Sequence, residues 1–292
     1  MGVAPIRKVV LPVAGLGTRV LPATKSIPKE MLTVVDRPLI DYAIEEAREA
    51  GIEEFIFVTG RAKEAIENYF DHMYELEDTL ERKKKTKQID ALAKTVPLAG
   101  NAVFTRQQKP LGLGHAIWCA RHIVGNEPFA ISLPDMLVDA QPSGLAQLVK
   151  AYNDSDGANI IAVEEVPQEH TDRYGIIDTG ETRDGLIEIK GLVEKPAPDK
   201  APSNLAILGR YILRPEIFSF LEDQKPGAGN EIQLTDAMAR MIGNSPFYGA
   251  HYEGTTYDCG DKFGYLEANI GVGLKHADLG DKVKDLVKRL AQ

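Results

Sequence analysis

Short apolar runs alternate with amphipathic segments through the first half of the chain, and this rhythm constrains the fold most. Strand-like runs at residues 8–13 and 54–59 are each followed by a helical period, at 39–50 and 62–74. Because parallel strands need long crossover connections, this alternation is typical of a parallel sheet with helices on its faces. Further strands are predicted at 102–107 and 129–133, and further helices at 115–124 and 144–153. We expect an α/β fold with a Rossmann-like, doubly wound sheet.

The pattern changes beyond residue 159. Strand-like segments lie at 160–166, 175–178 and 186–193, and Asp184-Gly185 is a two-residue hairpin signal. Residues 204–213 form another strand that could return to the main sheet, and helices are predicted at 215–221, 234–242, 262–275 and 281–291. We therefore expect a mixed sheet with a small β-rich extension and C-terminal helices, in one domain over residues 1–292 that has two parts, about 1–158 and 159–292.

The charge of the chain excludes some classes of partner. It has 34 Lys and Arg against 43 Asp and Glu, a formal net charge of −9. This sign is wrong for binding nucleic acid or an anionic membrane through bulk charge. We also find no run of about eighteen apolar residues that would predict a membrane-spanning helix. We expect neither a nucleic acid nor a membrane partner, and any polyanion must bind in a local pocket.

The cysteines and the N-terminal region indicate a compartment. Two cysteines, Cys119 and Cys259, cannot form a disulfide framework and fit a reducing environment. The apolar run at 9–17 follows two basic residues as in a signal peptide, but Pro12 and two glycines interrupt it, which favours a strand and loop. We expect a cytoplasmic protein.

The first predicted strand runs into a glycine-containing loop, Ala14-Gly15-Leu16-Gly17-Thr18-Arg19. Glycines let backbone N–H groups approach a phosphate closely, and an arginine adds a bidentate charged contact. A Walker loop is excluded because its signature is absent, and Val20 stands where a dinucleotide fingerprint needs its third glycine. A tight turn after a strand remains an alternative for such a loop taken alone.

Two lysines follow in a segment stiffened by Pro22 and Pro28. The prolines disfavour a continuous helix, so Lys25 and Lys29 would share a loop with the preceding arginine. Such a group of cations predicts an anion-binding clamp. Solvated lysines are the alternative, and the role of Lys25 stays open.

A second glycine loop, at residues 107–116, lies between a predicted strand and a predicted helix. Gln107 offers paired donor and acceptor groups, and Gly112 lacks the side chain that would obstruct a flat ring. The loop could therefore hold a nucleotide base. A plain connection between strand and helix is the alternative.

Two carboxylates are placed to bind a metal. Asp135 follows an apolar strand, at the end where open α/β sheets bind ligands, and Asp258 precedes a predicted helix. Two acids among phosphates suggest Mg²⁺, which prefers oxygen ligands. For each aspartate alone, a turn or helix cap is an equally good interpretation.

Two other groups are interpreted as structural. His115, Cys119 and His122 share one predicted helix face, but no fourth metal ligand is near in sequence, so we favour a core cysteine flanked by histidines. The charged run at 81–85 is interpreted as the exposed face of a helical excursion at 79–97.

The motifs together resemble those of the sugar-nucleotide pyrophosphorylases. G-x-G-T-R is followed by P-x-T and P-K, and later come Tyr174-Gly175, Val193-Glu194-Lys195-Pro196 and the N-E-x-Q-L-T-D segment at 230–236. The second glycine loop, Q-x-x-P-x-G-L-G-H-A, is similar to the UTP-using, glucose-1-phosphate branch of this family. The matching motifs run from residue 12 to residue 260 in the expected order.

This resemblance implies Mg²⁺-assisted, reversible transfer of a uridylyl group between UTP and glucose 1-phosphate, which gives UDP-glucose and pyrophosphate. Residues 1–158 would bind the nucleotide, residues 159–292 would bind the sugar, and the protein would form homodimers or homotetramers. The implied catalytic residues are Arg19 and Lys29, which would bind the phosphates, and Lys195, which would bind the sugar phosphate. The other implied contacts are the nucleotide with Ala14, Gly15, Gly17, Gln107 (to the uracil edge) and Gly112; the sugar hydroxyls with Gly175 and Glu194; and Mg²⁺ with Asp135 and Asp258.

Two other functions are weighed. A nicotinamide-dependent oxidoreductase shares the α/β rhythm but requires the glycine fingerprint that this chain lacks. A catalytically inert nucleotide-sugar sensor would share the fold but is expected to lose clamp or metal residues. The chain keeps them, which favours the enzyme.

Overall fold

The computed structural model describes residues 2–222 and 225–291. Its strands form one large sheet and two small ones. They are β1 Lys8–Pro12, β2 Thr33–Val34, β3 Arg37–Pro38, β4 Glu54–Thr59, β5 Ala102–Arg106, β6 Phe129–Ser132, β7 Met136–Asp139, β8 Asn159–Glu165, β9 Gly175–Arg183, β10 Leu186–Glu194, β11 Leu205–Leu213, β12 Phe247–Ala250 and β13 Thr255–Asp258.

The helices lie before, between and after these strands. They are α1 Leu39–Glu49, α2 Glu64–Tyr69, α3 Tyr74–Arg82, α4 Thr86–Thr95, α5 Leu113–Cys119, α6 Arg121–Val124, α7 Gly144–Asp154, α8 Ile217–Glu222, α9 Leu234–Met241, α10 Lys262–Lys275 and α11 Gly280–Leu290. Within the described ranges, none of them combines the length and the apolar character that a membrane crossing requires.

The large sheet has nine strands in the order β5-β4-β1-β6-β11-β8-β12-β10-β9. The first four are parallel, and β11 lies antiparallel between β6 and β8. Apolar side chains form a core on each face of the sheet. The predicted α/β class with a mixed, doubly wound sheet is confirmed, and the strand predicted at 204–213 does return to the main sheet.

The β-rich half continues the same sheet. The β9–β10 hairpin turns at Asp184 and Gly185, whose φ angles of 51° and 80° match the tight hairpin turn that their sequence predicts. Strand β10 also pairs with β12, which joins the hairpin to β8. Strand β9 is longer than the predicted 175–178 because its antiparallel pairing with β10 extends to Arg183.

Three predicted helices are interrupted. The helix predicted at 62–74 is only α2, because the chain leaves the helix where Phe70 packs into the core, its ring centroid 5.0 Å from that of Phe57. The excursion at 79–97 consists of α3 and α4, separated at Lys84 (φ 53°), and neither helix buries a residue. The helix predicted at 115–124 is α5 and α6, with a break at Ala120.

A two-stranded sheet of β7 and β13 has no counterpart in the sequence prediction. The strands are antiparallel, and Asp258 pairs with Met136. Four-residue strands give little periodic signal, and these two pair across more than a hundred residues of chain, so sequence alone does not reveal them. This small sheet brings residues 135 and 258 to one place.

Candidate active site

A cleft of about 890 Å³ opens where β1 and β6 end. All twelve residues that the sequence analysis selected line it, and Lys25, which is exposed, lies outside this lining. The twelve are Ala14, Gly15, Gly17, Arg19, Lys29, Gln107, Gly112, Asp135, Gly175, Glu194, Lys195 and Asp258. Because they come from both halves of the chain, only folding brings them together.

The first glycine loop forms the floor of the cleft. The loop starts where the Val13 N–H donates to the Val58 carbonyl at 3.0 Å, an extension of the β1–β4 pairing. It is then held against the following proline segment, because the Thr24 hydroxyl donates to the Gly17 carbonyl at 2.7 Å. Arg19 follows with a 60% exposed side chain that remains accessible to a ligand.

Arg19, Lys29, Asp135 and Asp258 form a group that we call the phosphate wall after the ligand that the sequence predicts for it. Lys29 Nζ donates to Asp135 Oδ2 at 2.6 Å. Arg19 lies 3.4 Å from Asp258 Oδ2 and 3.8 Å from Asp135 Oδ2, so it bridges the two acids. Two cations and two anions therefore converge in the free protein.

The charged groups of this wall shift one another's pKa values. Burial alone would raise the pKa of Asp135, but Lys29 and Arg19 outweigh it and hold that pKa below its usual value. Burial opposes the charge on Lys29 as well, yet Asp135 and Glu30 raise its pKa. At neutral pH the pair is ionised. Burial raises the pKa of Asp258, Asp135 raises it further, and Arg19 opposes the shift.

The two acids are held close to each other by backbone contacts. The Cys259 N–H donates to the Asp135 carbonyl at 2.8 Å, beside the β7–β13 pairing. Oδ2 of Asp135 and Oδ1 of Asp258 lie 2.9 and 2.8 Å from the point where a Cβ on Gly260 would stand. Two converging carboxylates fit a hard divalent cation such as Mg²⁺.

In the described ranges no group of three or more His, Cys, Asp or Glu side chains is arranged to hold a metal. Mg²⁺ that binds together with a nucleotide usually has only one or two protein carboxylates as ligands, so Asp135 and Asp258 would suffice. The metal assignment for Asp135 and Asp258 stays a prediction that their chemistry supports.

The second glycine loop is held by hydrogen bonds within the loop and by packing against residues 231 and 232. The Gln107 amide donates to the Gly112 carbonyl at 3.1 Å and lies 3.0 Å from His115 Nδ1. Gly112 has a φ of 105°, and a Cβ there would come within 2.7 Å of the Glu231 side chain and 2.8 Å of the Ile232 carbonyl. This packing by itself requires glycine at position 112, whether or not a nucleotide base also lies against it.

A second part of the cleft lining, which we call the sugar wall after the ligand that the sequence predicts for it, consists of Gly175, Glu194, Lys195 and Thr235. Oε2 of Glu194 and Oγ1 of Thr235 lie 3.3 and 3.1 Å from the point where a Cβ on Gly175 would stand. Lys195 is 51% exposed, and its Nζ lies 3.7 Å from Glu194 Oε1. Its N–H donates to the Tyr174 carbonyl at 2.9 Å, which ties β10 to the segment before β9.

Some residues that line the cleft were not selected by the sequence analysis, or were given no role there. Arg173 adds a cation to the cleft, and Glu231, Gln233 and Thr235 add polar groups beside it. The sequence analysis quoted the 230–236 segment only as a motif of the resembled family and gave its side chains no role. Arg173 could have been selected from the sequence, because it directly precedes the Tyr174-Gly175 motif.

Behind Lys29 lies a buried ion pair that the sequence analysis also missed. Lys63 Nζ donates to Glu30 Oε2 at 2.9 Å, and both side chains are almost fully buried. Burial raises the pKa of Glu30, although Lys63 and Lys29 oppose the shift. The pair places fixed charges directly beneath the lysine of the phosphate wall.

The residues interpreted as structural have local contacts. The His115 ring is stacked on Trp118, with centroids 5.9 Å apart, and His115 Nδ1 lies 3.8 Å from the Cys119 sulfur. Burial and the nearby Arg121 lower the pKa of His115. His122 is exposed. These contacts fit the structural interpretation of this helix face.

Known proteins share the sequence of this chain over most of its length. Residues 8–273 match the family described as nucleotidyl transferase. A curated relative from Komagataeibacter xylinus, a UTP–glucose-1-phosphate uridylyltransferase, is 55% identical over 260 residues, which cover 89% of this chain and 91% of the relative.

Solved structures of similar sequence have the same fold. The UTP-bound UGPase from Acinetobacter baumannii superimposes with a TM-score of 0.89 at 47% identity, over 98% of this chain and 99% of that chain. A UDP-glucose pyrophosphorylase complexed with UDP-glucose gives a TM-score of 0.83 at 43% identity, over 93% of this chain and 100% of that chain. The chain thus belongs to the nucleotidyl transferase family and, within it, to the UTP–glucose-1-phosphate uridylyltransferases.

Proposed function

We propose that this chain catalyses reversible uridylyl transfer, in which UTP and α-D-glucose 1-phosphate give UDP-glucose and pyrophosphate. The observation that carries the proposal is the phosphate wall, where Arg19, Lys29 and two carboxylates converge at one end of a cleft. The sugar wall lines the same cleft. A nucleoside triphosphate and a sugar phosphate both need such a cleft, and relatives at 47–55% identity are named UTP–glucose-1-phosphate uridylyltransferase.

The chemistry requires no protein nucleophile. An ionised phosphate oxygen of glucose 1-phosphate attacks the α-phosphorus of UTP in line, and the new P–O bond replaces the bond to the β-phosphate, which leaves as pyrophosphate. Because the attacking oxygen is already ionised near neutral pH, no general base is needed. Catalysis then depends on positioning and on charge stabilisation.

The cations divide this task. Arg19 would bind the triphosphate and stabilise charge on the leaving pyrophosphate, since its exposed guanidinium can form bidentate contacts. Lys29, held by Asp135 at 2.6 Å, would stabilise the phosphates around the reacting phosphorus. Lys195 would bind the phosphate of the sugar from the sugar wall. Together they offset the repulsion between two anionic substrates.

Asp135 and Asp258 would hold Mg²⁺ with the phosphate oxygens. When bound, the ion neutralises charge on the triphosphate and polarises the phosphoryl group under attack. Asp135 is suited to this role because its pKa is lowered, so that it is ionised at neutral pH. Its contact with Lys29 also holds the carboxylate in one orientation.

Base and sugar would be selected at different places. Gln107 is 6% exposed and uses its amide N–H on Gly112, which leaves its carbonyl oxygen to accept from the uracil N3–H. Gly175 and Glu194 would bind sugar hydroxyls, with Glu194 as acceptor. The division into a nucleotide part, 1–158, and a sugar part, 159–292, suits these roles, with Asp258 as the exception from the second part.

The test is pyrophosphate release by the purified chain with Mg²⁺, over a grid of nucleoside triphosphates and sugar 1-phosphates, repeated with EDTA. We expect strong turnover only with UTP and glucose 1-phosphate, abolished by chelation. A preference for dTTP or for another sugar would contradict the assigned specificity. Tight UTP binding without turnover across the grid would instead indicate an inert sensor.

We also propose that the protein forms a homo-oligomer through its C-terminal helices. Helix α10 exposes a stripe of four apolar side chains on one face, Phe263, Leu266, Ile270 and Leu274, each 38–74% exposed. Such a stripe on a two-helix unit is self-complementary in a two-fold pair of copies. Light scattering after gel filtration should give at least a dimer mass, and Leu266→Glu should reduce it; a monomer for the unaltered chain would refute the proposal.

A further inference from the structure

Arg210 is the largest fully buried side chain of the described residues, and it lies directly behind the metal-binding turn. Its Nε and Nη2 donate to Glu46 Oε2 at 3.0 and 2.8 Å. Its remaining donors reach backbone carbonyls, Nη1 to Leu133 at 2.9 Å and Nη2 to Met136 at 2.7 Å. These two carbonyls flank Asp135 in the chain, so one guanidinium holds both ends of the turn that carries this carboxylate.

The strand that carries Arg210 is irregular at this point. The pairing of β11 with β8 shifts register between Ile207 and Tyr211, and Gly209 lies within the shift with a φ of 69°. The Leu133 N–H donates to the Gly209 carbonyl at 2.9 Å, and a Cβ on Gly209 would come within 2.9 Å of the Leu133 side chain. β-bulges next to functional sites redirect side chains, and this one brings strand and turn together.

Glu46 is fixed in its turn by two helices. It belongs to α1, and its Oε1 accepts from the Leu145 N–H at the start of α7 at 2.9 Å. The Ser143 hydroxyl, the cap of α7, donates to the Glu46 carbonyl at 3.2 Å. Because both charges are buried and fully hydrogen-bonded, the guanidinium has one well-defined position.

We propose that Arg210, oriented by Glu46, is a positioning residue that holds the turn at residues 133–136 and thereby sets the position of the Asp135 carboxylate. The significance of this position rests on the proposed function, in which Asp135 binds the divalent ion. Outer hydrogen-bonding partners of metal ligands are known to control metal affinity in this way. The proposal predicts that substitution of Arg210 or Glu46, with Asp135 retained, will weaken binding of the divalent ion.

The test compares two variants with the parent protein. Arg210→Lys keeps the positive charge but lacks the forked donors of the guanidinium. Glu46→Gln keeps the shape of the side chain but removes the negative charge that pairs with Arg210. Two quantities are measured: amide hydrogen exchange of the peptide containing residues 133–139, and Mn²⁺ affinity by EPR in the presence of UTP. In both variants we expect exchange in this peptide to rise about tenfold relative to the β1 peptide, and Mn²⁺ affinity to fall about tenfold or more.

Lys8→Met is the matched control. Lys8 is also a buried cation that donates to two backbone carbonyls, of Ile123 and Val124, but these lie outside the cleft lining. The control should lose thermal stability and keep both the exchange of 133–139 and Mn²⁺ affinity within about twofold of the parent protein. Equal effects in the control and in Arg210→Lys would show a merely structural role and overturn the proposal.

The outcomes separate this inference from the proposed function. If Asp135→Asn keeps the Mn²⁺ affinity of the parent protein, the metal assignment is wrong and the proposal falls with it. If Asp135→Asn loses Mn²⁺ binding, the assignment stands, and the proposal depends on the two variants. It is then overturned if either the exchange of 133–139 or the Mn²⁺ affinity remains within about twofold of the parent in both variants.

Discussion

The two walls of the cleft are built in different ways. On the phosphate wall, ion pairs of 2.6, 3.4 and 3.8 Å link two cations and two carboxylates into one group. On the sugar wall, a single ion pair of 3.7 Å joins Lys195 to its neighbour Glu194. The phosphate wall is held by charges from distant parts of the chain, whereas the charges of the sugar wall are adjacent in sequence.

This difference indicates how each wall works. A preorganised set of charges stabilises a transition state because no reorganisation is needed during the reaction. The ion pair of Lys195 joins two residues adjacent in the chain, so it restrains the lysine less, and we expect Lys195 to act mainly in binding the sugar phosphate. We therefore expect changes on the phosphate wall to reduce kcat and changes on the sugar wall to raise KM for glucose 1-phosphate.

The largest effect is expected for Asp135→Asn. Loss of one negative charge removes a metal ligand and leaves Lys29 without its partner, so kcat should fall about a thousandfold. Asp139→Asn is the matched control, since Asp139 lies at the other end of β7 and pairs with Lys275 at 2.6 Å outside the cleft lining. Circular dichroism should show that both variants fold. Unchanged Mg²⁺ dependence in Asp135→Asn would disprove the ligand assignment.

Arg19→Ala should lower kcat about a hundredfold, because a positioned cation at developing charge is worth several kcal/mol. The effect on folding should be small, since the side chain is 60% exposed. Arg82→Ala is a suitable control: this arginine forms an ion pair with Asp78 on the exposed helix α3. If steady-state kinetics show the same kcat for Arg19→Ala and the control, Arg19 does not belong to the catalytic group.

Lys195→Met tests the other wall. Loss of one charge-assisted contact to the sugar phosphate should raise KM for glucose 1-phosphate about tenfold, with a smaller change in kcat. Lys200→Met provides the comparison, because Lys200 is exposed and does not line the cleft. A fall in kcat as large as that of Arg19→Ala would break the contrast between the two walls.

The smallest effect is expected for Gly175→Ala. The new methyl group would lie 3.0 to 3.3 Å from Ile207, Thr235 and Glu194, which is tight but can be relieved by small shifts. We expect these shifts to displace Thr235 and Glu194 and so to weaken sugar binding by about 1 kcal/mol, which corresponds to about a fivefold rise in KM for glucose 1-phosphate. Gly191→Ala in β10 is the control, since its nearest neighbour would lie at an ordinary 3.4 Å. Equal KM values for both variants would argue against a sugar contact at Gly175.

Much of the fold was readable from periodicity. The strand at 54–59 and the helix at 262–275 have the predicted bounds, because each is a regular element with a clear apolar pattern. The helix predicted at 62–74 was too long, since packing of Phe70 against Phe57 overrides the local pattern. Strands β7 and β13 escaped prediction because their pairing is long-range and their pattern is short.

The candidate site was readable to a similar degree. Arg19 and Lys29 stand out as cations near glycines and prolines, and both line the cleft. Arg210 did not stand out, although a lone arginine within the apolar segment 205–213 is a signal for a buried partner. That partner, Glu46, is 164 residues away in the chain, so no local pattern could identify it.

The sequence by itself determined the α/β class, the order of the main elements and the residue types available to bind phosphate, base and sugar, because these depend on local periodicity and side-chain chemistry. Only the tertiary structure decided which charges meet. The contact of Lys29 with Asp135, the convergence of Asp135 with Asp258, and the hydrogen bonds of Arg210 to the turn at 133–136 all join residues more than seventy positions apart. Burial and Coulomb interactions depend on distance in space, and sequence separation does not specify that distance.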